Sequence, residues 1–374
     1  MRKATRLTLL AIVGLVTLAF AGSAFAAYAP KLFVNSVNPA AGAGGGVTIR
    51  AVSSDSEDPT AKVTIYVPTG FQLSNSAAVG SSLGKIDAHA SAADLGGAKL
   101  PLIGDLIVAN PNDPAIVSAS NLCDPGTHYA VWNLHMTAAG QVLDVPVFVD
   151  QTSGTEAAFS GYRLVICLPP PDVPAGTPGR ATFGAKLLDA TFGSSAFTNP
   201  VATGEYRWRS KWTPYVPKIG QVNALGTVEA QSVVLQPRQV ILQGRKSVVK
   251  KKVKGRIVRT TYVTLTGSLT ENLKGLGGVS VTLTSGTSAS ALKAFKVVTT
   301  NTGGGFSVKL KVKRTTVYGA NATLADRDLG ATGCTATFAP VPCTDATIAA
   351  NVQYVGTAFA TAPLLSRGTI RVAK

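Results

Sequence analysis

Polar and apolar residues alternate one by one along several short stretches of the chain. Val279-Ser280-Val281-Thr282-Leu283-Thr284 does so without a slip, and Phe306-Ser307-Val308-Lys309-Leu310-Lys311-Val312 places Val, Leu and Phe on one face and Ser and Lys on the other. A period of two predicts half-buried β-strands. Lys62–Val67, Ala130–Met136, Val145–Val149, Tyr162–Leu168, Arg180–Phe192, Glu205–Trp212, Gly226–Leu235, Val263–Thr270 and Lys296–Thr300 read the same way, with Gly, Pro, Asn and Asp between them. Pro146 suggests an edge or strand end for its segment. After residue 26 no stretch offers three clean helical turns, and Ala88–Leu95 comes nearest. Short strands with turn signals predict an all-β chain of β-sandwich domains.

The charge is unevenly placed. Of the net +16, residues 1–26 carry three basic residues, 27–237 hold 12 Lys/Arg against 15 Asp/Glu, and 238–374 hold 20 against 4. This shift predicts a boundary near Gln236-Pro237-Arg238, with an N-terminal domain over 27–237 and a basic C-terminal domain over 238–374. A further boundary near Asn110-Pro111-Asn112-Asp113-Pro114 would divide 27–237 again, into a pair of smaller domains. The Pro-rich run from Pro169 to Gly179 is either a linker or a crossover within one domain.

Residues 1–26 read as a secretory signal peptide. Arg2, Lys3 and Arg6 precede the apolar run Leu7–Phe20, and Ala24-Phe25-Ala26 is a small-residue cleavage site that would leave Ala27 first. The apolar run is short for a membrane span, so the mature chain is expected to have no transmembrane segment. The four cysteines fit an oxidising compartment. Four cysteines allow three pairings. The predicted division of the chain selects Cys123 with Cys167 and Cys334 with Cys343.

Gly267-Ser268-Leu269-Thr270, then Gly278-Val279-Ser280-Val281-Thr282-Leu283, then Thr299-Thr300-Asn301 with Gly305-Phe306-Ser307-Val308 resemble the strands of bacterial Ig-like and carboxypeptidase-regulatory-like (transthyretin-like) modules. The resemblance covers Val240–Thr323. It implies an Ig-like C-terminal domain of the kind that serves exported proteins as a spacer, stalk or appended module, with no catalytic residues to carry over. The first 237 residues resemble only uncharacterised exported bacterial proteins.

Candidate chemistry falls mainly on two clusters. Arg245, Lys246, Lys250, Lys251, Lys252, Lys254, Arg256 and Arg259 would line a hairpin turning at Lys254-Gly255. Such a density of cations attracts phosphate or carboxylate polymers, although lysines also guard exposed strand edges. Tyr206, Trp208 and Trp212 share one face of a predicted strand, with Arg207, Arg209 and Lys211 on the other. Facing outward the aromatics would form a carbohydrate platform, and facing inward they are core.

Weaker signals remain. Gly80-Ser81-Ser82-Leu83-Gly84 matches the G-x-S-x-G elbow of serine hydrolases, with His128, His135, Asp105 and Asp124 downstream, but an all-β context lacks the strand–turn–helix that the elbow needs. His128, His135 and Cys123 are conceivable metal ligands, but strand-borne histidines beside Trp132 are more often packed or at the surface. Ser53–Asp58 is acidic without the calcium-loop pattern, and Asn321-Ala322-Thr323 fits a glycosylation sequon. The expectation is a secreted or envelope protein without catalysis, cofactor or metal. Its basic module would dock on an anionic wall polymer or polysaccharide, with neither a small-molecule substrate nor specific nucleic acid as partner. A carbohydrate-binding protein is the second reading and an exported serine hydrolase the third.

Overall fold

The computed structural model describes residues 28–322 apart from Pro39, Pro237 and Asn272, together with 327–328, 356–358, 364–365 and 370–372. The expected signal peptide and the Cys334–Cys343 pair lie outside the described residues. Antiparallel sheets dominate, with 58% strand and 9% helix.

The N-terminal region forms β1 (Lys31–Ser36), β2 (Val47–Val52), β3 (Thr60–Pro68), β4 (Gln72–Leu73), β5 (Ser82–Ala92), β6 (Ala98–Val108), α1 (Pro114–Cys123), β7 (Ala130–Ala138), β8 (Gln141–Gln151), β9 (Ser160–Cys167), β10 (Ala185–Ser194), β11 (Phe197–Thr198), β12 (Gly204–Pro214) and β13 (Val228–Gln236). Eleven of these make one ladder in the order β1-β2-β10-β5-β6-β7-β8-β9-β3-β12-β13, extended beyond β13 by 356–358 and 327–328. The two ends of the eleven meet. The amide of Val34 on β1 donates to Ser232 Oγ on β13 over 2.8 Å. A single sheet curled around one interior thus supplies both layers of the all-β sandwich-type fold.

Alternation along each strand explains the interior. Trp208 and Trp212 of β12, Ile65 of β3, Ile86 of β5 and Phe192 of β10 point into one buried cluster that runs from Leu32 to Val234. It takes residues from both sides of Asn110–Pro114. Phe197 packs edge-on between Trp132 and Trp208, with ring centroids 5.9 and 5.5 Å away. The Pro-rich run joins β9 to β10 of the same sheet, so it is a crossover.

Three local expectations change. Asn110–Pro114 is a helix start. Asp113 is the N-cap, its carboxylate accepting from the amide of Ala115 at 2.8 Å, and Pro114 opens the ten-residue α1. Ile116 of α1 then covers Val131, Phe148 and Val165 on the outside of the sheet. Ala88–Leu95 is strand through Ala92, because Ala88, Ala90 and Ala92 are buried in alternation with more exposed neighbours. Pro146 lies inside β8, opposite Asn133, just where pairing with β9 has not yet begun at Val147. Proline, which has no N–H to give to a ladder, thus stands at the end of the β8–β9 pairing.

The C-terminal region forms β14 (Arg238–Val253), β15 (Arg256–Glu271), β16 (Lys274–Gly275), β17 (Ser280–Gly286), β18 (Lys293–Thr299), β19 (Gly305–Val312) and β20 (Thr316–Ala322). β14, β15, β16 and β19 make one sheet. β18, β17 and β20 make another, with 364–365 and 370–372 pairing to β20. Val240, Val263, Leu265 and Leu269 of the first sheet meet Val281, Leu283, Tyr318 and Ala320 of the second in a separate buried cluster. Gly267 has a packing reason. A Cβ there would lie 2.2 Å from the carbonyl of Ile241 and 2.3 Å from the ring of Phe306, so only glycine lets that ring lie on the strand. Among the described residues no helix is long and apolar enough to cross a membrane.

Candidate polyanion interface

Between Gln231 and Thr270 the sequence has no carboxylate at all. That stretch folds into the long β14–β15 hairpin, paired from Arg238↔Glu271 to Val253↔Arg256. Its two-residue turn is Lys254-Gly255, with φ of 50° and 77°. Two successive positive φ values match the twist of a hairpin, and Asn-Gly is the usual choice. Lysine at the first position accepts backbone strain and places a cation at the tip.

The hairpin leaves the body of the sandwich. Pairing with β19 stops at Thr261↔Val312, and every residue from Gln243 to Arg259 is exposed. The eight predicted cations therefore all reach solvent. Lys250, Lys251, Lys252, Lys254, Arg256 and Arg259 lie beyond the last β19 rung, while Arg245 and Lys246 lie beside it. Residues opposite one another share a face, so Lys246, Lys250, Lys252 and Arg259 lie on one side and Arg245, Lys251 and Arg256 on the other. Lys250 stands directly opposite Arg259. Like charges in that position repel one another. Among the described residues none of the eight has an acidic partner.

The register adds cations that the sequence pattern leaves unassigned. Lys309 and Lys311 of β19 pair with Thr264 and Tyr262, which puts them on the face of Arg245 and Lys251. Lys309 is exposed and Lys311 lies at the same surface, and Lys309 Nζ is 5.1 Å from the Tyr262 ring centroid. Alternation along β19 shows that these lysines point outward. Only strand pairing shows which residues they join.

The aromatic platform does not exist. Trp208 and Trp212 are 0% and 3% exposed, and Tyr206 is half-buried with its ring edge-on to Phe71. Trp212 donates its Nε1–H to Ser210 Oγ at 2.7 Å within the core. The inward face of β12 is the apolar one, as burial of aromatic area demands.

The G-x-S-x-G elbow also fails. Ser82 opens β5, with strand rather than helix after it, and its hydroxyl donates to Asp105 Oδ1 at 2.7 Å. That carboxylate is paired with Lys85, and His135 is bonded instead to Asp144. No imidazole among the described residues is bonded to Ser82. The Ser53–Asp58 turn is likewise occupied by the protein's own cation: Lys186 Nζ donates to the carbonyls of Asp55, at 2.7 Å, and Glu57.

A polar cluster lies under α1 that sequence spacing does not reveal. Ser120 Oγ and His128 Nε2 are 2.9 Å apart, and His128 Nδ1 lies 3.0 Å from Asp150 Oδ1. The connectivity is that of a serine–histidine–aspartate relay. Its surroundings are structural. Ser120 is 7% exposed and also donates to the carbonyl of Asp124, and the His128 ring stacks on Phe148. Asp124, His128 and Asp150 converge closely enough for a metal ion. Arg163 takes that role, with its guanidinium 3.1 and 3.3 Å from the two carboxylates. Burial pushes the Asp124 carboxyl up, against the downward pull of Arg163. Beside the cluster Cys123 is bonded to Cys167, which fixes the end of α1 to β9 and removes this cysteine as a ligand.

No family model matches the chain, and no curated protein matches it.

Proposed function

We propose that this is a secreted, non-catalytic protein of the cell envelope or extracellular surface that docks on an anionic polymer through the β14–β15 ribbon. The observation that carries the reading is the ribbon itself: eight exposed cations on a projecting hairpin, without an acidic partner among the described residues. An anion between Lys250 and Arg259 turns their repulsion into two attractions. The body then remains free to be displayed outward.

The distribution of apolar side chains favours a polymer over a lipid surface. Val248 and Ile257 lie on one face of the ribbon, and Val249, Val253 and Val258 on the other; all are 44–67% exposed. A segment lying in a membrane interface gathers its apolar residues on one side. A ribbon with cations on both sides suits a chain that wraps or bridges.

Co-sedimentation with purified cell envelope, and with immobilised polyphosphate, across a salt series tests the proposal. Screening shortens the reach of exposed charges as salt rises, so binding should fall steeply. Each exposed ion contact contributes ~0.5 kcal/mol, so Lys250→Gln, Lys251→Gln and Lys252→Gln together should weaken binding about tenfold. Binding that ignores salt and survives the triple change would overturn the reading.

A further inference from the structure

The interior of the curled sheet is not filled at one end. Where β2, β9, β10 and β12 reach the loops over 53–59 and 168–184, a cavity of about 300 Å³ opens. Its depth is apolar. Ile65, Ile86, Leu134, Phe192 and Trp212 come from five strands around the curl, and all are buried. The indole N–H of Trp212 is already given to Ser210.

The volume equals the liquid share of about ten water molecules, but a buried water needs two to four polar partners, and apolar cavities stay dry and take up apolar molecules. It also falls at the lower end of the range for small-molecule sites. The rim differs from the depth. Lys186 and Asp144 stand there. Lys186 is held by the two backbone carbonyls already described, and Asp144 accepts from His135 Nδ1 and from Asn133 Nδ2, each at 2.7 Å. Arg180 forks onto Asp94 at 2.6 and 2.7 Å and fixes the 168–184 loop beside the opening. An apolar depth beneath a charged rim matches a molecule with a hydrocarbon tail and a polar head.

We propose that this cavity binds one hydrocarbon chain of an amphiphile, with the head group left at the rim beside Lys186. The site is independent of the basic ribbon. Such a chain can arrive as a free fatty acid or be drawn from a bilayer lipid.

Trp212 supplies the readout, because bromine on an acyl chain quenches an indole it touches. Titration of the protein with chain-brominated dodecanoic acid should quench tryptophan fluorescence to saturation at one equivalent. Unbrominated dodecanoate should restore it. Trp212→Phe should remove most of the quenching, while calorimetry with dodecanoate still finds one site. Ala90→Phe, which fills the cavity, should weaken binding at least tenfold. If circular dichroism shows that this variant does not fold, the displacement series on the unaltered protein decides alone. Vesicles of chain-brominated phosphatidylglycerol separate the sources: quenching by vesicles as well as acid supports uptake from a bilayer, and quenching by acid alone supports the free form. Quenching that never saturates, or that is equal in Trp212→Phe, overturns the proposal.

Discussion

In the curled sheet, Arg163 bridges Asp124 and Asp150, Arg180 forks onto Asp94, and Lys186 is wrapped by two carbonyls. In the hairpin, Lys250 faces Arg259 with no acid among the described residues paired to either. The same residue types serve opposite ends. In the sheet each cation fixes a loop or helix end, and its field is largely spent on its partner. In the hairpin the cations hold nothing together, and their fields add. Counting Lys and Arg therefore says little until the partners are known.

Substitutions sharpen this contrast, beginning with the largest effect. Trp208→Ala should destabilise the protein by about 3–5 kcal/mol in denaturant unfolding, since it empties a fully buried site. Unchanged stability would return the aromatic face to the surface. Replacing Cys123 and Cys167 together by serine frees a 44-residue separation. It should cost about 4 kcal/mol, read from the same unfolding curves against the disulfide-intact parent protein.

A pH series tests a third point. Glu229 on β13 is pushed from its ordinary 4.5 to about 7, first by burial, with Lys211 and Arg209 pulling the other way. Between those values the folded chain holds a proton that the unfolded chain has released, so this group favours folding below about pH 4.5 and loses that contribution as pH rises through about 7. The stability difference between the parent and Glu229→Gln should follow this window. A flat difference would mean that Glu229 ionises normally.

In the ribbon the effects on stability should be small. Lys251→Ala should change stability by no more than about 0.5 kcal/mol while lowering affinity for polyphosphate. Lys254→Asn should stabilise the hairpin by a few tenths of a kcal/mol, since asparagine tolerates positive φ, yet bind slightly less well. If both properties rose, the lysine at the turn would have no role in docking.

Much of this was legible in the residue pattern. Alternation marked β17 and β19, and the Lys254-Gly255 turn was readable because few other residues between the arms of the hairpin permit a reversal. The rest depended on partners distant in sequence. α1 was obscured because Asp113-Pro114, an N-cap and first-turn signal, sat inside punctuation that also marks loops. The alanines of β5 looked helical by propensity, whereas their burial has period two. Closure of the eleven-stranded ladder, the Ser120–His128–Asp150 contacts and the addition of Lys309 and Lys311 to the basic face all arise from strand register. No local window contains that information.

The overhang of the hairpin sets a length scale. Five residues on each strand extend past the last rung with β19, a span of about 17 Å at the usual strand rise. Screening in physiological salt reduces interactions between exposed charges over about 8 Å. The tip therefore lies roughly two screening lengths beyond the last rung shared with β19, so a polyanion can engage the tip cations at a distance where the charges of that sandwich are largely screened.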